Sequence, residues 1–517
     1  MARRGIYVRY SLTIDEGANH AARVLARILV SDPVAGLREV YPGLASTYIE
    51  WDPDQVSVRA VDRWLGRAIS QSPAGEQDSA RNLVIPIRYD GADLEDVSRR
   101  TCLAPADVAE AHSGTRYTVL AVGAAPGQPL LGINQAAIDV ARRSTPRLKV
   151  PDRSVAIAGR LTTVYRGELA GGWNLIGTAL TAFYDPNRDD PCLFHPGDRV
   201  SFVEGPAAVT ADVRPLIMLP EEPAFPALQV EKAGPLDLVV DKRRTGVAHL
   251  GLAESGPMDP GSAGWANELV GNPRTLPVLE STLTGPRLTA LRSLRIAAFG
   301  LGTVLEINGE NVGPGAVQVS PGARIRVRPN RDGVRGYLAV AGGIESRHYM
   351  GCASADVSGL IGRKLADGDV IGVGSAISQV QTGVAVRARA YAATMKNSRG
   401  LPIRLIRGPQ YSHEARHALT ASTFTVTTGD RSGVRLEGPS VPGGELLSES
   451  PPLGSVQVTP AGSPIILMND RQRSAGYSKP AVVCPADLPR VAQLRPGNQV
   501  QFTFLDLGET RWYIDQS

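Results

Sequence analysis

Cysteine is scarce in this chain: four residues among 517, Cys102, Cys192, Cys352 and Cys484, with no CxxC pair. That excludes a disulfide scaffold or a zinc ribbon and fits reduced thiols. No run of about eighteen apolar residues occurs, so no membrane-spanning helix is expected. The opening Met1-Ala-Arg-Arg is followed by Asp15 and Glu16 where a signal peptide would be apolar, and a cytoplasmic location is expected. Charge of one sign is lacking as well. The net charge is +4, with Lys and Arg spread along the chain, which leaves no footprint for nucleic acid or an anionic membrane. Neither GxxxxGK[ST] nor a strand-linked GxGxxG is present, so any nucleotide site is not of the P-loop or Rossmann kind.

What the chain has in quantity is Gly (55) and Pro (39), the residues of turns, which favours short strands over long helices. Its length calls for about three to five units. Helical spacing of Ala21, Val24, Leu25, Ile28 and Leu29, then strand alternation over residues 47–51 and a second helical pattern over 61–69, predicts a small α/β domain at 1–75. The apolar-poor stretch 70–79 reads as a linker. A second unit is expected at 80–219, ended by the three prolines of residues 220–226. Further units are expected at 227–395 and 400–517, divided by a softer, polar break at about 376–400.

A short string recurs: Phe194-His-Pro-Gly-Asp-Arg-Val-Ser-Phe202, Leu365-Ala-Asp-Gly-Asp-Val-Ile-Gly-Val373 and Leu494-Arg-Pro-Gly-Asn-Gln-Val-Gln-Phe502, with a looser copy over residues 317–327. Gly followed by Asp or Asn suits a tight turn needing positive φ, and the alternation after it suits a strand. Barrel-like units closing on similar hairpins would explain the recurrence, as would chance reuse of a common turn.

The strings Ala111-His-Ser113, Tyr117-Thr-Val119, Thr145-Pro-Arg147, Ser154-Val-Ala-Ile-Ala-Gly159 and Gly171-Gly-Trp-Asn-Leu-Ile-Gly177 resemble the B-type subunit of 5-oxoprolinase, also called allophanate hydrolase subunit 1. That family includes a sporulation kinase inhibitor. From residue 227 the chain is similar to the C-type subunit, allophanate hydrolase subunit 2: Ser255-Gly-Pro-Met-Asp259, Ala266-Asn-Glu-Leu-Val-Gly-Asn272, Asp430-Arg431, Asp470-Arg-Gln472, Gly476-Tyr477 and Lys479. The resemblance implies a mainly β fold with α/β portions: one cyclophilin-like β-barrel unit in the first half and two in the second, besides the N-terminal α/β domain. It also implies a small-molecule substrate, a third 5-oxoprolinase-type subunit as partner, ATP as co-substrate and no metal. The family reaction opens a cyclic amide activated by phosphorylation, which needs cations and backbone donors for the phosphate charge and a base for water.

The sequence departs from the family pattern. Gly-Phe-x-Pro-Gly is here Gly123-Ala-Ala-Pro-Gly127, Gly-Ser-Arg-Ser-Thr is Gly351-Cys-Ala-Ser-Ala355, and Thr-Gly-Gly-Tyr-Pro falls within Arg473-Ser-Ala-Gly-Tyr-Ser478. Polar groups suited to a substrate are lost, which points to a changed substrate. A stand-alone biosynthetic enzyme such as a cyclase, or a regulatory binding protein, stays open beside the hydrolase component.

His112, Asp241, Asp470 and Lys479 are the expected catalytic residues, His112 as a proton carrier at the end of a helix-like stretch. Arg147 is the candidate anion clamp. Gly171, Gly172 and Trp173 offer backbone access beside a flat ring. Arg244, Ser255, Gly256, Asp259 and Asn267 are expected to cluster with Asp241 around the substrate. Asp430, Arg431 and Tyr477 join Asp470 and Lys479, with Lys479 or Arg431 to hold phosphate. Two tempting motifs are set aside. His413-Glu-Ala-Arg-His417 spells a zinc HExxH, but its flanks read as a short surface helix with no further ligand. Met395-Lys396 faintly resembles a biotin site but lacks the Ala-Met-Lys-Met context.

Overall fold

The computed structural model describes residues 4–71, 80–145, 147–167, 169–206, 213–329, 332–375, 379, 381–506 and 512–516. The expected linker at 70–79 lies almost wholly outside them. The first body is an antiparallel sheet of Leu37–Pro42, Ser46–Trp51 and Arg4–Arg9 under two helices, Glu16–Ser31 and Val58–Ser70. Each helix starts where a side chain takes up an orphan amide: Asp15 accepts from Ala18 N–H and Ser57 from Ala60 N–H. Leu25, Leu29, Val61 and Leu65 press their apolar stripes onto Ile49 and Trp51. A fourth strand comes from the other end of the chain: Tyr513–Asp515 pairs in parallel with Arg4–Arg9.

Beyond it, seven strands close into a barrel in the order Asn174–Ala179, Asn82–Arg88, Arg199–Glu204, Tyr117–Val122, Pro129–Gly132, Leu161–Val164 and Ser154–Ala158. The last unit is a barrel-like sheet of eight strands from Gln499–Val500 round to Phe502–Phe504, with its own core of Leu405, Val426, Val456, Ile466 and Val483. Between these two, residues 226–372 form a pair of sheets with six and five strands, rather than one closed sheet. The chain is mainly β with α/β portions, as expected.

The polar break at 376–400 is in its described part a helix, Val384–Asn397. Val384, Ala388 and Met395 are its buried residues, and the first two join a core with Ala263, Ala266 and Tyr337. Mostly alanines and arginines separate its three buried residues, which hides the periodicity. Lys396 lies in its last turn. Among the described residues no helix is long and apolar enough to cross a membrane.

The recurring string marks a shared turn with one bonding pattern. Gly197, Gly322, Gly368 and Gly497 all have positive φ, 103°, 81°, 90° and 86°. Their amides donate to Val119, Ala290, Val230 and Val426, whose own amides donate back to the residue after each glycine. In the three full copies that next residue also caps the turn. Asp198 accepts from His195 N–H at 2.9 Å, Asp369 from Ala366 N–H at 2.8 Å and Asn498 from Arg495 N–H at 2.9 Å. The fourth copy has Ala323 there and no such cap. The strands that follow the three capped turns reach the first strand of their unit: Arg199–Glu204 on Asn82–Arg88, Val370–Gly372 on Pro226–Lys232, and Phe502–Phe504 on Ile403–Arg407. The string therefore closes each unit. Asn498→Ala should lower the stability of the last unit by about 1 kcal/mol, measured by urea unfolding, with little change in the other two.

Candidate functional site

A cavity of about 1670 Å³ opens between the first half of the chain and its last unit. Three elements wall it. The barrel side presents Gly171, Gly172 and Trp173 just past the strand Leu169–Gly171. A Cβ at Gly171 would stand 2.4 Å from the Tyr165 hydroxyl, so only glycine lets the backbone pass this close. The opposite side is a two-stranded antiparallel sheet of Glu445–Glu449 and Ala475–Tyr477, which brings Glu449 and Tyr477 to the cavity. Tyr513 completes the wall from the C-terminal strand.

Behind Glu449 lies Lys479, fully buried, its ammonium 2.9 Å from Glu449 Oε1 and 3.1 Å from the Tyr477 carbonyl. Gln410 also donates to Glu449 Oε1, at 2.9 Å. The Lys479 backbone is pinned by close packing: a Cβ on Gly408 would meet the Lys479 carbonyl oxygen at 2.1 Å. The cavity thus touches a carboxylate whose cation is held out of water, an arrangement that fixes charge in place.

A second buried network meets the cavity at Arg471. Its Nη2 donates to Glu254 Oε1 at 2.6 Å, and Arg473 Nη1 shares the same oxygen at 3.0 Å. Arg473 Nη2 continues to Glu39 Oε2 at 3.2 Å, while Glu39 Oε1 accepts from Ala248 N–H. N-terminal sheet, middle unit and last unit are therefore tied through one chain of ions. Burial pushes the Glu39 carboxyl up to about 7 despite the opposing charge of Arg473. Arg471 Nη1 is buried and has no hydrogen-bond partner among the described residues, and the same holds for the side-chain carbonyl oxygens of Gln128 and Gln457. All three residues line the cavity.

Sequence comparison places this geometry in a family. Residues 1–194 match the carboxyltransferase domain, subdomain C and D, and residues 250–504 match subdomain A and B. The chain is 40% identical to the 5-oxoprolinase B-type subunit of Escherichia coli O157:H7 over 35% of its length and 82% of the relative's. It is 32% identical to the 5-oxoprolinase C-type subunit of Escherichia coli K12 over 54% of its length and 92% of the relative's. The crystal structure of TTHA0988 superposes with a TM-score of 0.88 at 43% identity, covering 97% of this chain and 100% of that one. The chain belongs to the family of the B-type and C-type 5-oxoprolinase subunits. It carries both types in one polypeptide.

In this fused chain the cavity lies between the B-type half and the end of the C-type half. It collects Gly171, Gly172, Trp173 and Tyr477, with Lys479 directly behind Glu449. The other expected residues sit elsewhere. His112 is in the barrel core, its Nδ1 2.8 Å from the Tyr89 hydroxyl and its ring against Tyr117 and Phe202. Burial lowers its pKa to about 3, so it is a neutral packing residue and not a proton carrier at the cavity. Arg147 forks onto Asp93 at 2.7 and 2.8 Å, which occupies the clamp expected for an anion. Burial alone would raise the Asp93 carboxyl, but the hydrogen bonds from Arg147 and Leu175 N–H and the Arg charges hold it below the usual range.

The middle-unit candidates serve the backbone. Asp241 accepts from the Ser354 hydroxyl, and Arg244 donates to the Ala253 and Ser354 carbonyls. Asp259 caps the helix Pro260–Leu269, and Asn267 holds the Leu276 carbonyl. Ser255 and Gly256 turn at positive φ and offer their carbonyls to Asn469, Gly256 also to Arg431. Asp430 caps its own turn through Ser432 and Gly433. Arg431 and Asp470 pair with each other, and Arg431 also reaches Glu280, at the seam of the middle and last units. None of these residues lines the cavity.

No pattern in the sequence marks Glu449, Arg471, Gln410 or Tyr513. Arg471 stands inside the string Asp470-Arg-Gln472, but only the fold shows that Arg471 and Gln472 join the cavity lining and Asp470 does not. Helix His413–Thr420 does carry both histidines of HExxH, exposed, and no group of His, Cys, Asp and Glu able to hold a metal occurs among the described residues. Cys192 and Cys352 are buried, and burial raises both thiols, Cys192 to about 12, which makes them unreactive.

Proposed function

We propose that the chain is a component of a 5-oxoprolinase-like enzyme that holds a small amide-bearing carboxylate in the cavity between its halves. The observation that carries this reading is a trio of buried, unpartnered polar groups on residues that line the cavity: a guanidinium N–H of Arg471 and the side-chain carbonyl oxygens of Gln128 and Gln457. A buried donor of positive charge calls for a carboxylate, and two neutral acceptors call for N–H. Lys479 and Glu449 are the candidates for charge and proton management at the amide. ATP and a third 5-oxoprolinase-type subunit complete the reaction, and this chain's residues bind and orient the amide. A cytoplasmic setting fits the four free thiols.

The cavity exceeds the roughly 300–1,000 Å³ of ordinary small-molecule sites, which leaves room for an inserted segment of the partner subunit or for a bulkier amide than 5-oxoproline. Titration calorimetry with 5-oxoproline and with 2-pyrrolidinone, which lacks the carboxylate, tests the reading. The first should bind and the second should bind at least about tenfold more weakly. Arg471→Gln should erase that difference. Equal affinity for both compounds in the unmodified protein, or no binding of either with and without the partner subunit, overturns it. ATP hydrolysis dependent on 5-oxoproline and on the partner subunit, reduced by Lys479→Met, is the corresponding activity measurement.

A further inference from the structure

We infer that Tyr513, near the C-terminus, is a positioning residue of the cavity that holds the Glu449 carboxylate in place against Lys479. The inference rests on the reading of the cavity as the ligand site. Its phenol donates to Glu449 at 3.1 Å to Oε1 and 3.2 Å to Oε2, and accepts from Gln410 Nε2 at 2.5 Å. Gln410 in turn receives the Lys479 amide N–H on its Oε1 at 2.9 Å. Glu449 is thus gripped by phenol, amide and ammonium, and of these the phenol alone comes from the chain end.

The segment that delivers it is anchored by contacts of its own with the first sheet and the last unit. Trp512 gives its carbonyl to Tyr7 N–H at 2.7 Å and its indole N–H to the Arg407 carbonyl at 2.9 Å. Asp515 pairs with Arg9 at 2.7 Å, and the Tyr513 ring stacks on Tyr7 with centroids 5.1 Å apart and lies 4.2 Å below the Arg9 guanidinium. So the end of the C-type half is a strand of the sheet that opens the B-type half, and it carries one cavity residue with it. A tail that only braced the sheet would need its backbone and its ring, but no hydroxyl aimed at a buried carboxylate.

Two substitutions in the full chain separate bracing from positioning. Tyr513→Phe keeps the stacked ring and removes the hydroxyl, whereas Asp515→Asn loosens the strand and leaves the hydroxyl. The readout is labelling of Glu449 by a water-soluble carbodiimide with glycine ethyl ester at pH 6, followed by peptide mass spectrometry, which needs no ligand. Loss of one hydrogen bond frees the carboxylate to react with the carbodiimide, and labelling in Tyr513→Phe should accelerate about tenfold with the melting temperature held within about 2 °C. Asp515→Asn should label at the original rate. Unchanged labelling in Tyr513→Phe, or equal acceleration in both variants, overturns the inference. Failure of 5-oxoproline to bind the unmodified protein would count against the function proposed above and leaves the labelling result to stand by itself.

Discussion

Arg431→Ala is expected to lower the stability of the second half by about 3–5 kcal/mol, the range for breaking a buried ion network by deleting one partner. Arg431 is the sole cation paired with Asp470 among the described contacts, through Nε at 2.7 Å and Nη2 at 3.1 Å, and it also reaches Glu280 and the Gly256 carbonyl. Glu280 is 1% exposed. Alanine would leave Asp470 without a cation and Glu280 with only the more distant Arg335, at 4.0 Å, so two carboxylates at the seam would lose their main counter-charge. The check is thermal and chemical unfolding followed by hydrogen exchange. Amides on either side of the seam, in Val278–Thr282 and Gly433–Glu437, should lose protection together. Adding Asp470→Asn to Arg431→Ala should recover part of the loss, because it removes one uncompensated charge. If both substitutions cost less than about 1 kcal/mol, the pair is not a structural rivet, and a role for Arg431 in holding phosphate regains weight.

That ion network shows how far the sequence could be read. Asp470, Arg431, Asp241, Asp259 and Asn267 are polar residues in apolar surroundings, and pattern alone marks such residues as special without saying whether the reason is chemistry or architecture. Here position separates the cases. Asp259 caps a helix and Asn267 holds a carbonyl, whereas Glu449 and Arg471, though buried as well, belong to the lining of the cavity. The barrel closures were legible because a turn at positive φ restricts residue choice locally, so Gly197, Gly368 and Gly497 announce themselves in the string. The Val384–Asn397 helix was not, since only Val384, Ala388 and Met395 of it are buried and they leave no regular run of large apolar residues in the sequence. Tyr513 was beyond reach for a different reason: its partners Tyr7, Gln410 and Glu449 lie far off in the chain, and nothing in the last residues alone points to them.

Two departures from the family pattern that looked independent turn out to touch. The Gly123 carbonyl accepts from the amides of both Arg473 and Ser474, at 2.9 and 3.0 Å. A Cβ at Gly123 would stand 2.7 Å from the Tyr41 hydroxyl and 3.1 Å from Ser474 Cβ. The segment that lacks the family's aromatic ring and the segment that begins at Arg473 are therefore one contact between the two halves. Joining the halves in one chain keeps that contact at high effective concentration.

His112→Phe is expected to flatten the acid sensitivity of the barrel. The folded-state pKa is about 3 because burial disfavours the imidazolium, against 6.5 for the ordinary side chain. The unfolded chain therefore takes up the proton first. Stability from this residue is fully present above about pH 6.5 and is lost as the pH falls toward 3, at roughly 1.4 kcal/mol per pH unit once the unfolded histidine is charged. Between pH 7 and pH 4.5 the loss should amount to about 2–3 kcal/mol. Hydrogen exchange of Tyr117–Val122, a strand of the barrel beside His112, reads the local opening free energy and avoids assuming that all units unfold together. Phenylalanine fits among Tyr89, Tyr117 and Phe202 but abandons the bond to the Tyr89 hydroxyl, so its stability at pH 7 should fall by about 1 kcal/mol. At pH 4.5 the order should invert, with the variant the more protected of the two. Parallel pH curves for the two proteins would mean that His112 is protonated in the folded barrel and reaches solvent, which its enclosed position argues against.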